Sequence, residues 1–482
     1  MSNFIAPNLV PAVPEMVMLA MTCLVLLVDL CLPREKRGFT LLLSVLTLLL
    51  TMLAVGLVAP VDTISSFGGS FILDQLAVTL KIAVCDIGIL VFVYSRDYLI
   101  DHDIYQGEYY VLALFATLGM LIIISAHSFL LVYLGLELLS LSLYAMIAFN
   151  RRSLLASESA MKYFVLGAMA SGLLLYGISI FYGMTGTLDI NILADSVVVQ
   201  AGKNPLAFAF ALTFIVVGLA FKLGAVPFHM WLPDIYQGSP TAVTLLISTT
   251  PKIAGFAMVI RLLVDGLAEL QTDWSQMLMI LAVASMIIGN IVAIAQTNFK
   301  RMLAYSTMSQ VGFILLGILS GGANGYASAM FYTVTYVITA SAAFGVLMLL
   351  NRKGFEAENI NHLAGLNHTN PWYAAMLSMA MLSMAGVPPM VGFYAKLGVL
   401  QSVIAGNHVW IAVVAVLLSV VGLFYYLRVI KVMYFDQAAA DLVTSIKPSF
   451  DTRLLLSANS LSLIGLGLFP SYLMVYCMRA FA

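Results

Sequence analysis

The chain has 482 residues, 62% of them hydrophobic and 9% charged, with a formal net charge of −1. Soluble chains carry about 25% charged residues, so a water-soluble globular domain is excluded, and a near-neutral chain has no basic surface for nucleic acid. Apolar runs of about 20 residues recur from end to end, which describes an all-α polytopic membrane protein. A transmembrane β-barrel would instead alternate in segments of about 10 residues.

The N-terminal "MSNFIAPNLVPAVPE" has no basic region before its first apolar run, so a cleaved signal peptide is not expected. Fourteen spans follow, at roughly 10–31, 39–59, 74–96, 109–126, 128–149, 157–182, 205–227, 240–263, 274–296, 301–320, 325–350, 372–404, 408–433 and 453–476, each near the ~20 residues a bilayer requires. The twelfth is long and broken. Residues 435–452 read as either an interfacial helix or a loop. With the N-terminus outside, the inner loops and span ends hold Arg34, Lys36, Arg37, Arg96, Arg151, Arg152, Lys300, Arg301, Arg352, Lys353, Arg428, Lys431, Lys447 and Arg453. The outer ones hold Lys203, Arg261 and Arg479. This separation follows the positive-inside rule and puts both termini outside.

Five lysines fall within spans: Lys81, Lys162, Lys222, Lys252 and Lys396, with Asp86 and Glu137 as acids. A charge at the bilayer centre costs about 2.5–3.5 kcal/mol on insertion scales, so these groups face protein, water or each other. Glu137 sits midway along span five, too short-stemmed to reach the interface, with Ser140 and Ser142 close behind. Lys222 precedes "GAVP": Gly224 and Pro227 break span seven, leaving the carbonyl of Leu223 without its helical partner and a half-helix end that favours a cation. Lys252 follows Pro251 and a patch of Ser248, Thr249 and Thr250 in span eight. Lys396 follows a second break at Gly386, Pro388, Pro389 and Gly392 in span twelve. Lys162, near the start of span six, is placed either for a relay or for snorkelling. Lys81 and Asp86, in span three, are a local pair or a relay. His127 reads as a solvated loop residue and His229 as a mouth residue beside the first break.

"LGAVPFHMW" and "MAGVPPMVGF" are both small-residue Val-Pro breaks with a lysine nearby. They lie five spans apart, an odd offset, so they run in opposite directions, as in inverted-repeat transporters. The expected organisation is residues 1–108 as flanking helices one to three, 109–263 as a first repeat, 274–433 as a second inverted repeat, and 434–482 as a connection with the last helix. Buried lysines and a glutamate in one bundle are the parts of a proton relay. The four cysteines, Cys23, Cys31, Cys85 and Cys477, form no C-x-x-C pair, and neither GxGxxG nor a Walker A motif occurs. No metal, cofactor or nucleotide site is therefore expected on this chain.

"FKLGAVPFHMWLPDIYQGSPT", "STTPKIAGF", "NFKRMLAYSTMSQVGF" and "GVPPMVGFYAKL" resemble the antiporter-like subunits of proton-pumping NADH:quinone oxidoreductase, respiratory complex I, most closely the N type. The resemblance covers essentially the whole chain, although "NFKRMLAYS" is shared with Mrp-type sodium/proton antiporters. It implies fourteen helices in two inverted five-helix repeats with helices seven and twelve broken. Position by position, it implies that Glu137 pairs with Lys222, that Lys252 is a connecting lysine, that Lys396 is the terminal one and that Lys162 belongs to the N-type set. Gln310 departs from the pattern, standing where histidine is common. The resemblance further implies a multi-pass protein of the bacterial inner membrane that moves protons outward and associates with neighbouring membrane subunits. Quinone, NADH, FMN and iron–sulfur clusters are expected on other subunits. The rival readings are an Mrp-type cation/proton antiporter and a non-pumping scaffold whose lysines pair with neighbouring acids.

Overall fold

The computed structural model describes residues 7–33, 36–200, 204–353, 355–437 and 448–482. Three flanking helices come first: α1 (Val13–Cys31), α2 (Gly38–Val58) and α3 (Gln75–Asp101). A short antiparallel hairpin, β1 (Ile64–Ser66) and β2 (Phe71–Leu73), separates α2 from α3. Its Ser70 carbonyl accepts the His127 N–H at 2.8 Å, tying the hairpin to the corner between α4 (Glu108–Ser125) and α5 (Phe129–Ile147). Then come α6 (Leu154–Thr185), the short α7 (Ile190–Gln200), α8 (Pro205–Leu223) and α9 (Trp231–Gly238).

The next crossing is α10 (Thr241–Ser248) and α11 (Thr250–Val259), kinked at Thr249 and followed by a π-helical turn at Ile260–Asp265. Proline at position 251 removes one donor from the ladder there. The remaining helices are α12 (Gln271–Ala295), α13 (Phe299–Leu319), α14 (Gly322–Leu350), α15 (Leu366–Thr369), α16 (Pro371–Ala385), α17 (Val391–Ala405), α18 (Val409–Phe435), α19 (Phe450–Leu468) and α20 (Ser471–Arg479).

Among the described residues, twelve helices are long and apolar enough to cross a bilayer, or thirteen if α19 and α20 form one span bent by 80°. This differs from the fourteen spans expected, for two physical reasons. Span twelve is two helices of 15 residues each, about 22 Å apiece at 1.5 Å per residue, shorter than a ~30 Å hydrocarbon core. Span fourteen is not continuous: it turns sharply at Phe469 and Pro470. Of the 435–452 stretch, residues 438–447 lie outside the described residues.

Burial sorts the helices. α10 and α11 are buried along their whole length, and α13 nearly so. By contrast α1, α2, α6 and α18 expose Leu27, Leu57, Leu154 and Val420. Apolar side chains on an outer face are what lipid solvates, so the polar machinery is confined to the centre.

Candidate functional site

Two broken helices organise the centre, and they end in the same way. α8 stops at Gly224, whose φ of 79° is left-handed. Its N–H bonds the carbonyls of Ala220 at 2.9 Å and Phe221 at 3.0 Å, and the Ala225 N–H reaches Ala220 at 2.8 Å. α16 stops at Gly386, φ 83°, with bonds to Leu382 and Ser383 at 3.0 Å each and from Val387 to Leu382 at 3.0 Å. This is a Schellman ending, which glycine adopts without the Cβ penalty. Both breaks continue into a cis X–Pro bond, Val226–Pro227 and Pro388–Pro389. At the first break the buried Val226 N–H is satisfied by Ser285 Oγ of α12 at 2.9 Å.

Each break leaves carbonyls pointing into the bundle, and each receives a lysine. Lys252 Nζ donates to the Leu223 carbonyl at 2.8 Å, and Lys396 Nζ donates to the Ala385 carbonyl at 2.9 Å. Both carbonyls belong to the residue just before the left-handed glycine. The C-terminal end of a helix carries partial negative charge, so an ammonium group is the favoured partner. An aromatic ring lies beside each amine: Trp231 at 5.6 Å from Lys252 and Phe313 at 5.2 Å from Lys396, measured to the ring centroid. Such faces stabilise a cation by about 0.5–2 kcal/mol. Trp231 also donates its indole N–H to the Phe221 carbonyl at 2.9 Å, and Ser419 of α18 accepts from Lys396 at 2.8 Å.

The cation expected at the Leu223 carbonyl is therefore Lys252 rather than Lys222. Lys222 is buried and turns to α5, donating to Ser140 Oγ at 3.2 Å. A cavity of about 20 Å³ lies there, lined by Ser140, Tyr144, Tyr163, Ser171 and Lys222 among others. That is room for about one water between polar groups. Glu137 is half-buried, three residues before Ser140, with a buried Oε1 that lacks a hydrogen-bond partner. No ion pair within 4.0 Å joins it to Lys222 among the described residues. Lys222 thus reaches α5 at Ser140, one helical turn from Glu137 and without direct contact to it among the described residues.

Lys162 stands apart from the buried set. Its side chain is 44% exposed and pairs with Glu158 and with Asp234 of α9, each at 2.9 Å. Asp234 also holds Arg301 at 2.7 Å. Three other ion-pair groups escaped the sequence reading. Lys81 pairs with Glu15 of α1 at 2.6 Å instead of with Asp86. Arg261, counted above as an outer charge, is buried and bonded to Asp74 at 2.8 Å and Asp265 at 3.0 Å. Lys300, counted as an inner loop charge, is buried between Glu356 at 3.2 Å and Glu358 at 3.3 Å. Buried charges persist only when paired; Asp265 is one turn from Arg261, but the other partners lie tens of residues away, and no local pattern announces them. His127 is likewise buried, bonded to Asn191 at 3.0 Å, not solvated. His229 lies half-buried in the α8–α9 link. Among the described residues, no three His, Cys, Asp or Glu side chains gather as a metal site.

Comparison with known proteins fits this geometry. Residues 126–422 match the family described as NADH:quinone oxidoreductase/Mrp antiporter, transmembrane. NADH-quinone oxidoreductase subunit N of Thioalkalivibrio sulfidiphilus is 55% identical over 98% of both chains. A chain in the structure of respiratory complex I from Thermus thermophilus with bound aureothin superposes with a TM-score of 0.81 at 29% identity, covering 96% of this chain and 98% of that one. A chain of the membrane-bound sulfane sulfur reductase, an archaeal respiratory complex, shares the fold with a TM-score of 0.85 at 23% identity, over 98% and 97%. The chain belongs to the family of antiporter-like membrane subunits of NADH:quinone oxidoreductase and Mrp antiporters, and within it groups with the N subunits.

Proposed function

We propose that this chain is a proton-translocating membrane subunit of a bacterial NADH:quinone oxidoreductase, assembled with other membrane subunits in the inner membrane. Protons move from the cytoplasm outward through Lys222, Lys252 and Lys396, driven by quinone reduction elsewhere in the complex, and Glu137 tunes the first step. The observation that carries this reading is the pair of matched helix ends, each holding one lysine by a backbone carbonyl. A lysine held by a neutral carbonyl, without a carboxylate partner, keeps its charge less firmly than one in an ion pair, so it can release and regain a proton. The amines of Lys81 and Lys300, clamped by carboxylates, suit structure rather than transfer. Lys162, exposed and ion-paired, suits the inward edge of the route, where Asp234 and Arg301 join it.

The domain plan belongs to the same proposal: flanking helices in 1–108, repeats in 109–263 and 274–433, and a terminal part in 434–482. Its support lies in the backbone. Ser128 bridges Asp189, and Asn298 bridges Asn359, each residue of the second pair falling 170 positions after its counterpart. The bonds Phe129 to Leu188 and Phe299 to Glu358 keep the same offset, as do Ile190 to His127 and Ile360 to Thr297. Glycine contacts repeat it again. A Cβ on Gly119 would meet Leu139 N at 2.7 Å and Gly135 O at 2.8 Å; one on Gly289 would meet Ser309 N and Tyr305 O, both at 2.8 Å. Counting α16–α17 and α19–α20 as one span each brings the number of spans to fourteen, with both termini on the outer side.

The test is Lys222→Ala and Lys396→Ala in the assembled complex, with proton uptake into inverted vesicles measured per NADH oxidised. The proposal expects normal assembly with a lowered ratio. Loss of assembly alone would favour a scaffold, and sodium movement without NADH an Mrp-type antiporter.

A further inference from the structure

Gln310 of α13 is the hub of a buried polar file at the second break. Its Nε2 donates to the Met384 carbonyl at 3.1 Å and to the Tyr426 hydroxyl at 2.9 Å. Its Oε1 accepts from the Tyr332 hydroxyl. Tyr426 and Ser306 lie 2.5 Å apart, and Ser306 is one helical turn before Gln310 on α13. Met384 directly precedes Ala385, whose carbonyl holds Lys396. Two successive open carbonyls of α16 are thus taken by Gln310 and Lys396.

This arrangement sets a direction. A backbone carbonyl only accepts, so Gln310 must turn its NH₂ toward Met384. Its oxygen then faces Tyr332, which must donate. Tyr426 accepts from the NH₂, and in its bond with Ser306 either hydroxyl can donate. The donors run one way from Tyr332 through the amide to Tyr426. A cavity of about 10 Å³ borders Gln310, Tyr332, Ser383 and Gly392, room for about one water. Beyond it, Thr339 and Ser383 lie 3.2 Å apart, and Ser383 accepts the Gly392 N–H at 3.3 Å, at the start of the helix that carries Lys396.

We propose that Gln310 is a positioning residue for proton passage to Lys396: it ties the donor order of the Tyr332–Tyr426 file to the open end of α16. The amide itself does not titrate. It keeps the hydroxyls in register with the carbonyls that hold Lys396. This rests on the proton-route reading given above. The titratable groups around it are Lys396 from α17, Tyr332 and Tyr336 from α14, Tyr425 and Tyr426 from α18, and Tyr236 from α9. Among the described residues, no carboxylate hydrogen-bonds to any of them.

The test uses the intact complex in inverted vesicles, with assembly checked by native electrophoresis and proton uptake scored per NADH oxidised. Gln310→His keeps a donor and an acceptor and should pump near the wild-type ratio. Gln310→Met keeps the length but loses the strong donor, and should pump severalfold less at equal assembly. Gln310→Glu should pump at acid pH, where a protonated carboxyl donates to Met384, and lose pumping as pH rises, a limb absent from wild type. A purely packing role predicts no such limb. Wild-type pumping in Gln310→Met, or a wild-type pH profile in Gln310→Glu, overturns the inference; the second measurement decides if Gln310→Met does not assemble. Lys396→Ala is run alongside. If it too pumps normally, the underlying route fails. If it is impaired while the Gln310 variants are normal, only this inference fails.

Discussion

Gly386→Ala and Gly224→Ala are the same substitution at matched helix ends, yet their consequences should differ. Both glycines sit at positive φ, 83° and 79°, where an L residue costs about 1–2 kcal/mol. At Gly224 the new methyl meets only Leu232 side-chain atoms, at 3.3 and 3.4 Å, and these adjust. At Gly386 it lands 2.8 Å from Cδ of Lys396 and 3.3 Å from its Nζ. The lysine stem must swing away, and its bond to the Ala385 carbonyl goes with it. A hydrogen bond to a charged group is worth about 1.5–3 kcal/mol, so Gly386→Ala should cost up to about that much more than Gly224→Ala. The larger effect is on function, because the displaced amine is the one proposed to carry the proton. The assay is proton uptake per NADH oxidised at equal amounts of assembled complex, beside thermal stability of the extracted complex. Gly386→Ala should lower the ratio well below that of Gly224→Ala. Equal ratios in the two variants would refute the reasoning, since they would show that the position of Lys396 against the helix end does not matter.

Glu137→Gln removes a carboxylate that makes no ion pair among the described residues, so stability should change by less than about 0.5 kcal/mol while pumping falls; a large loss of thermal stability with intact pumping would count against the assigned role. In the loop after α14, burial pushes the Glu356 carboxyl up, but Lys300 and the Tyr98 hydroxyl beside it hold it below the ordinary 4.5. A depressed carboxylate stabilises fully above its unfolded value and loses that contribution as pH falls through the folded one. Melting temperature should therefore drop in acid for wild type and less steeply for Glu356→Gln; parallel curves would contradict this. Gly119→Val and Gly289→Val each press a side chain onto facing backbone at under 3 Å, and overpacking of this kind costs about 1–3 kcal/mol. Matched losses of stability would support the duplicated plan, and a large loss in only one would weaken it.

Much of this architecture is written in local composition. Apolar runs mark the bilayer crossings, and Gly224 with Pro227, and Gly386 with Pro388 and Pro389, mark the breaks, because one residue's lack of a Cβ or an N–H suffices to end a helix. Even the need for a cation at Leu223 is readable from the missing donor. Which cation fills it is not: Lys252 lies 29 positions further on and Lys222 only one before, and only packing of α11 against α8 decides between them. The same limit hides Glu15 from Lys81 and Glu356 from Lys300. A charge count along the chain assigns Arg261 and Lys300 to the two membrane sides, but it is blind to depth, and both are buried in ion pairs. Span twelve shows what the break residues add to hydropathy. Hydropathy summed over 33 residues sees one long stretch, and it is Gly386, Pro388 and Pro389 that mark the break between the two half-helices occupying it.

Lys252 is the most direct place to test whether amines at broken helix ends carry protons. Lys252→Met keeps the length of the stem and leaves the Leu223 carbonyl without its donor, a loss of about 1–3 kcal/mol that a large assembly tolerates. The decisive measurement is the proton-to-NADH ratio of the purified complex carrying this change, reconstituted in liposomes. The account predicts a ratio clearly below wild type with the complex fully assembled. An unchanged ratio would contradict it.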